Sequence, residues 1–252
     1  MNNYSYQHYV TDSAFLDNYN AYQAKYEKTI RESDKFLIQL IREIKKTRSQ
    51  PDQPLKLLDI GCSTGNLLLH IHRLLPNIHL TGGDLAASSI EICRNNPELD
   101  GVTFEVMDVL NLPSKHRFDI ITANAVLTLL DDDQLELALD SIAAAMEPKG
   151  QLIIFDYFHP FPQDLSIAEV SDSHPDGLVL RFRPMAKIES TLTNAGFKNC
   201  VFRPFTLPID LLPSGKPEDL ITYTVNAEDG RKLPFRGTLF QPWCHATADR
   251  QS

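Results

Sequence analysis

Gly61-Cys62-Ser63-Thr64-Gly65 ends one apolar run, Leu55 to Ile60, and opens another, Asn66 to Ile71. Glycine weakens regular structure, so a pair at this spacing marks backbone that must turn sharply or be approached closely. Such a loop between a strand and a helix exposes N–H groups at the helix start, where polar ligand groups bind. A phosphate loop would carry Gly-x-x-x-x-Gly-Lys, and no lysine follows Gly65; a dinucleotide fingerprint would carry Gly-x-Gly-x-x-Gly, and position 63 is serine. A ligand with a carboxylate or short polar tail fits the loop better than a phosphate. Asp84 closes the next β-rich run, at a distance suited to accepting both hydroxyls of a ribose. Asp108 closes the third, in "VMDVLNLP", where a carboxylate can accept from an adenine amino group while Val109 or Leu110 covers the ring. The three features together describe an adenosine joined to an amino acid.

A second group of candidates lies further along. Asn124 and Thr128 follow the fourth β-rich run, and Asp156, Tyr157 and His159 end the fifth. His159 is the candidate general base, and Asp156 a candidate partner for an acceptor amine. "FQPWCHATADR" groups Trp243 and His245, which together with Thr128 and Tyr157 are the candidate acceptor-binding residues. His70 and His72 stand two apart on a helix and face different ways, so a metal pair is not expected. Asp131-Asp132-Asp133 reads as a helix start, where acids suit the dipole.

These side chains need a scaffold that presents them together. Between Leu55 and Phe158, β-rich runs alternate with helical patterns, which is the mark of a doubly wound, mostly parallel sheet. Tyr26 to Arg48 reads as one amphipathic helix within an N-terminal arm covering residues 1–50. The domain proper spans 51–252, with insertions on the substrate side at 159–183 and 205–245. The first insertion is rich in Pro, Asp and Ser without clear periodicity; "KNCVFRPFTL" reads as a strand, and "AEDG" as a turn between two more, so antiparallel strands should complete a seven-stranded sheet.

Composition bounds the function. The 252 residues carry a net charge of −9, which disfavours nucleic-acid partners. No apolar run is long enough to span a membrane, and the polar, aromatic start lacks a secretory pattern. The four cysteines are scattered without a Cys-x-x-Cys pair, as expected of free thiols in a reducing cytoplasm.

The motifs resemble those of class I S-adenosylmethionine-dependent methyltransferases. "LLDIGCSTG" is similar to the first motif of that family, "GGDLA" to the acidic second-strand motif and "MDVLNLP" to the adenine-contacting motif. "FDIITANAVLTLLDDDQ" and "AAAMEPKGQLIIFDYF" are similar to the fourth- and fifth-strand segments, so the likeness runs from Lys56 to Phe158. The Gly82-Gly83 pair departs from it, since a β-rich residue commonly precedes the acid; a looser strand end is expected there. The resemblance implies a Rossmann-like fold that binds S-adenosyl-L-methionine and releases S-adenosyl-L-homocysteine. It implies that Asp59 orders the loop and that Gly61 and Gly65, with Cys62 and Ser63 between them, approach the methionine part. Asp84 and Leu85 would take the ribose, Asp108 and Val109 the adenine, and Asn124 would border the cofactor. Many small-molecule members close an N-terminal arm over it, which here nominates Tyr22 or Tyr26 for packing and Arg31 for the carboxylate. The implied reaction moves a methyl group to an O or N atom of a small molecule. Alternatives are methylation of a tRNA or protein side chain, or another group transfer from a related S-adenosyl cofactor. The Asn/Asp-Pro-Pro-Tyr/Phe signature of nucleobase and glutamine amino methylases is missing at "NAV". A homodimer is compatible with all of this.

Overall fold

A computed structural model describes residues 6–7, 13–47, 53–113, 118–171, 174–212 and 222–251. Five parallel strands carry the first half: β1 (Leu55–Ile60), β2 (Ile78–Asp84), β3 (Thr103–Val106), β4 (Phe118–Asn124) and β5 (Met146–His159). Helices α3 (Asn66–Leu74), α4 (Ala87–Asn95) and α5 (Asp132–Ala145) connect them, after an arm made of α1 (Ser13–Ala24) and α2 (Glu32–Thr47). In the second half a hairpin, β6 (Leu165–Ser171) and β7 (His174–Pro184), precedes α6 (Met185–Asn194) and β8 (Phe197–Pro204). Next come β9 (Thr222–Asn226), β10 (Lys232–Arg236) and β11 (Leu239–Phe240), and finally β12 (Trp243–Arg250).

The main sheet runs β3-β2-β1-β4-β5-β12-β8. Strand order reverses between β1 and β4, and in open α/β sheets the crevice above that switch point is where ligands bind. β12 lies antiparallel between β5 and β8. The seven strands on this path and the antiparallel pairing of β12 agree with the sequence expectation, while β6 and β7 join at the end of β5 and bring the described sheet to nine strands. Two apolar layers flank the sheet, one joining α5 and α6 to Leu58, Ile121 and Ile154, the other joining α2 and α3 to Leu57, Ile120 and Ile153. The strands alternate between these layers because successive side chains point to opposite faces.

Three local readings need correction. The helix expected over Tyr26–Arg48 starts only at Glu32, and residues 25–31 are a non-helical connection from α1. The Tyr26 carbonyl faces the His70 ring at 2.9 Å and the Glu27 carbonyl accepts from Arg73 at 3.0 Å, so α3 side chains take the groups a continuous helix would use. The 159–183 segment is a hairpin rather than irregular chain, β7 adding to the end of β5 through Phe158↔Arg183 and His159↔Pro184. The glycine pair on β2 tightens the sheet rather than loosening it. A Cβ on Gly82 would stand 2.7 Å from the Phe104 ring, and one on Gly83 would stand 2.7 Å from the Met107 sulfur.

The hairpin and the small sheet β11-β10-β9 form a cap over the end of β5. Tyr157, Leu178, Leu180 and Phe182 make its own apolar cluster, with Trp243 and Leu239 packed against it. Arg236 on β10 pairs with Glu169 on β6 through two contacts of 3.0 and 3.1 Å, fastening the two parts of the cap together.

Candidate functional site

The loop after β1 is built on left-handed backbone at Gly61, Ser63 and Gly65, with φ of 73°, 50° and 78°. Gly61 N–H and Cys62 N–H both donate to the Gly83 carbonyl, at 2.7 and 3.1 Å, which holds the loop against the tip of β2. A Cβ on Gly61 would sit 2.3 Å from Val126 Cγ2, so only glycine lets this loop meet the turn after β4. Ser63 Oγ and Thr64 Oγ1 are buried with no hydrogen-bond partner among the described residues. Buried polar atoms are normally satisfied, and Ser63, unlike Thr64, lines the adjoining cleft, so a ligand there fits as the source of its missing partner.

Asp84 accepts from Ser63 N–H at 2.8 Å through one oxygen and from Ala86 N–H at 2.8 Å through the other. Each oxygen keeps a lone pair for a hydroxyl of a ligand, since a carboxylate has about four acceptor sites. Asp108 is arranged alike: Leu110 N–H donates to Oδ1 at 2.9 Å, and Oδ2 accepts from the Tyr6 hydroxyl at 2.8 Å. Beneath the loop, Asp59 is 2% exposed and accepts from the Thr122 hydroxyl at 2.7 Å. Burial pushes its carboxyl up to about 7. Burial also raises Asp84 and Asp34, the latter accepting from Asn124 Nδ2 at 3.4 Å. Two of these acids, Asp84 and Asp108, line the cleft, which disfavours phosphate and suits a ligand that carries positive charge.

Gly61, Ser63, Asp84, Leu85, Asp108, Val109 and Asn124 line this cleft, so seven of the expected cofactor positions stand together. Asp59, Cys62 and Gly65 do not line it: Asp59 and Cys62 are buried, and Gly65 packs on Cys93 and Leu99. Tyr26 and Arg31 do not line it either. Arg31 donates to the Gln23 side chain and lies 4.1 Å above the Tyr26 ring, so the two close the break in the arm. The arm reaches the cleft instead through Tyr6, Leu16 and Tyr19. No signal in the sequence separated these from the other tyrosines of the arm. With Tyr6 on Asp108 the cleft holds about 100 Å³.

The expected acceptor residues are divided. Asp156 is 1% exposed and accepts from Thr128 N–H at 2.9 Å and Tyr157 N–H at 2.8 Å. Burial pushes its carboxyl up to about 6. The Thr128 hydroxyl donates to the Arg181 carbonyl at 3.0 Å, tying the turn after β4 to the cap. Tyr157 accepts from Gln241 Nε2 at 2.8 Å and stacks on Phe182, while Trp243 stacks on Phe155 at 4.6 Å. His159 is 6% exposed, beside Phe161, with neither ring nitrogen bonded among the described residues. None of these side chains lines the cleft. His245 borders a different groove, beside α2. Arg183 emerges as a positioning residue the sequence did not single out: at 2% exposure it donates to the Leu127 carbonyl at 2.9 Å and to the Leu130 carbonyl. Among the described residues there is no cluster of metal-binding side chains, and no helix is long and apolar enough to cross a membrane.

A glycine loop at a topological switch point, followed by acids at the next two strand tips, defines a class of nucleoside-binding α/β enzyme. The sequence profile of the methyltransferase domain matches residues 51–179, and the chain belongs to that family. It is 26% identical to the malonyl-[acyl-carrier protein] O-methyltransferase of Bacillus cereus over 156 residues, covering 62% of this chain and 57% of that protein. It is 27% identical to the human tRNA N(3)-cytidine methyltransferase METTL6 over 122 residues, covering 46% of this chain and 43% of that one. The matched part thus spans about half the length of these relatives. In fold it is similar to CalS10 of Micromonospora echinaspora, an amino pentose methyltransferase with S-adenosylmethionine bound. There the TM-score is 0.57 at 17% identity, covering 92% of this chain and 97% of that one.

Proposed function

We propose that this chain is an S-adenosyl-L-methionine-dependent methyltransferase acting on an O or N atom of a small molecule. The observation that carries the reading is the pair Asp84 and Asp108 at successive strand tips, beside a glycine loop with unserved polar atoms. In this reading Asp84 receives the ribose hydroxyls and Asp108 the adenine amino group, with Val109 against the ring. Gly61 and Ser63 lie along the amino-acid part. When bound, the cofactor supplies a methyl group on a sulfonium, already activated for displacement, and S-adenosyl-L-homocysteine is what is left.

The chain's own contribution is placement. Orientation alone is worth roughly 7–11 kcal/mol in favourable cases. Asp156 and His159 do not line the cleft, so neither is assigned proton transfer. Asp156 holds the turn through Thr128, which keeps Asn124 to Leu130 in position at the cleft. Among acceptors, the relatives named above suggest either a carboxylate on a carrier or a nucleobase. The net charge of −9 argues against a tRNA, whose binding draws on cationic surface.

Calorimetric titration with S-adenosyl-L-homocysteine and, separately, NAD tests the reading. S-Adenosyl-L-homocysteine should bind with micromolar affinity and NAD should not. Preference for the pyrophosphate nucleotide would sink the assignment.

A further inference from the structure

His245 lies on β12 with 1% of its surface exposed, yet among the described residues its ring nitrogens make no close hydrogen bond, the Ser33 backbone being the one polar group that acts on the ring as an acceptor. Its ring packs against Phe155 at 4.3 Å, Phe36 at 4.7 Å and Phe205 at 5.7 Å. Burial lowers its pKa to about 4, with the Ser33 backbone opposing that shift, so the ring is neutral at physiological pH. A neutral imidazole has one N–H and one lone pair. The Ser33 carbonyl can serve only the N–H. The lone pair needs a donor, and phenylalanine would fill the same aromatic box without that unmet requirement.

The ring forms the floor of a groove of about 400 Å³ between α2 and the end of β8. Phe36, Phe205 and Pro208 give it flat apolar walls, and Lys35 and Arg203 bring two cations against the one acid, Glu32. Three side-chain donors at the rim are engaged elsewhere, Lys35 with Glu32 at 2.5 Å, Gln39 with Glu43 at 3.1 Å and Arg203 with Thr247 at 3.1 Å. None of the groove residues also lines the nucleoside cleft, so the two are separate. They share a wall all the same: the Phe155 ring backs His245, and the Phe155 carbonyl accepts from Ala125 N–H at 2.8 Å, at the edge of the cleft.

We propose that this groove is a second ligand site, for a small planar organic anion bearing a hydroxyl or N–H. The donor group meets His245 at the floor, the ring lies between Phe36 and Phe205, and the anionic group faces Lys35 and Arg203. The site goes beyond the methyl-transfer reading and stands without it.

Titration of the full chain, without cofactor, with 4-hydroxybenzoate and with benzoate provides the test. 4-Hydroxybenzoate should bind about tenfold more tightly, the upper range for one hydrogen bond. His245→Phe should melt no lower than the unmutated protein and bind both compounds equally. Arg203→Gln should weaken both by a similar factor. Asp84→Ala should leave 4-hydroxybenzoate binding unchanged, which separates failure of this site from failure of the cofactor assignment. In the unmutated protein the His245 ring ¹⁵N resonances should move with 4-hydroxybenzoate and stay with benzoate, a readout that needs no variant to fold. Equal affinities, no heat at millimolar ligand, an unmoved His245 signal or competitive displacement by S-adenosyl-L-homocysteine would each overturn the proposal.

Discussion

The two halves of this molecule use a sheet differently. From β1 to β5 each strand is followed by a helix or short turn that brings the chain back in parallel, so each crossover leaves one loop at the same edge. The nucleoside cleft is made of those loops, and its glycines and acids lie at the ends of consecutive strands. From β6 to β12 the pairings are mostly antiparallel, and strands distant in sequence end up adjacent, as in Trp243↔Tyr157. This half adds little to the cleft directly; it holds the turn after β4 from above. The lesson is a division of labour, with recognition encoded locally in the first half and the rigidity of its rim supplied from the second.

Breaking the seam between the halves should have the largest effect. Arg183→Met takes the charged donor from the Leu127 and Leu130 carbonyls, Leu127 keeping only the Leu130 N–H at 3.2 Å, and two hydrogen bonds from a charged group at about 1.5–3 kcal/mol each predict a loss of about 3–6 kcal/mol in urea unfolding. A smaller loss would mean that the cap holds the turn by apolar contact alone. Asp84→Ala acts within the first half and removes two hydrogen bonds to a charged group. It should weaken S-adenosyl-L-homocysteine binding ~100-fold in calorimetry, at about 1.5 kcal/mol or more per bond. Unchanged affinity would contradict the ribose assignment.

Asp59 sharpens the comparison through pH. Its carboxyl holds a proton up to about 7 when folded and only to 3.8 when unfolded. The folded state therefore binds more protons between those values, and stability falls as pH rises through that window, on the order of 2–4 kcal/mol in all. Asp59→Asn should flatten the urea stability profile between pH 5 and pH 8, windows set by the shift above. A profile as steep as before would place the titrating group elsewhere. The smallest effect belongs to the arm. Tyr6 donates to one Asp108 oxygen and takes one of the two acceptor sites there that an adenine amino group could use. Tyr6→Phe should tighten S-adenosyl-L-homocysteine binding by about threefold, less than one full hydrogen bond is worth; weaker binding would make Tyr6 a ligand contact rather than a competitor.

What could be read from the chain follows the same division. Leu55–Ile60 and the runs after it announce themselves by β-rich composition, and their tips by Gly61, Asp84 and Asp108. β7 hides its inward row Leu178, Leu180 and Phe182 behind Pro175, Asp176 and Gly177, which read as irregular chain. β12 is harder still: its buried row is Cys244, Ala246 and Ala248, small residues with little strand preference, placed by β5 and β8 on either side. Direction was also out of reach for Asp156 and His159. Their positions at the end of β5 are as expected, but a strand end can aim a side chain at the ligand or beneath the cap, and only the hairpin's docking decides which.

The place of β12 has a consequence for how the molecule is made. It is inserted between two strands that precede it in the chain, so on a ribosome β5 and β8 emerge with facing edges unmatched. Bare strand edges invite pairing with other chains. The nascent protein must therefore keep that gap open, or shielded by a chaperone, until its matching segment has been translated.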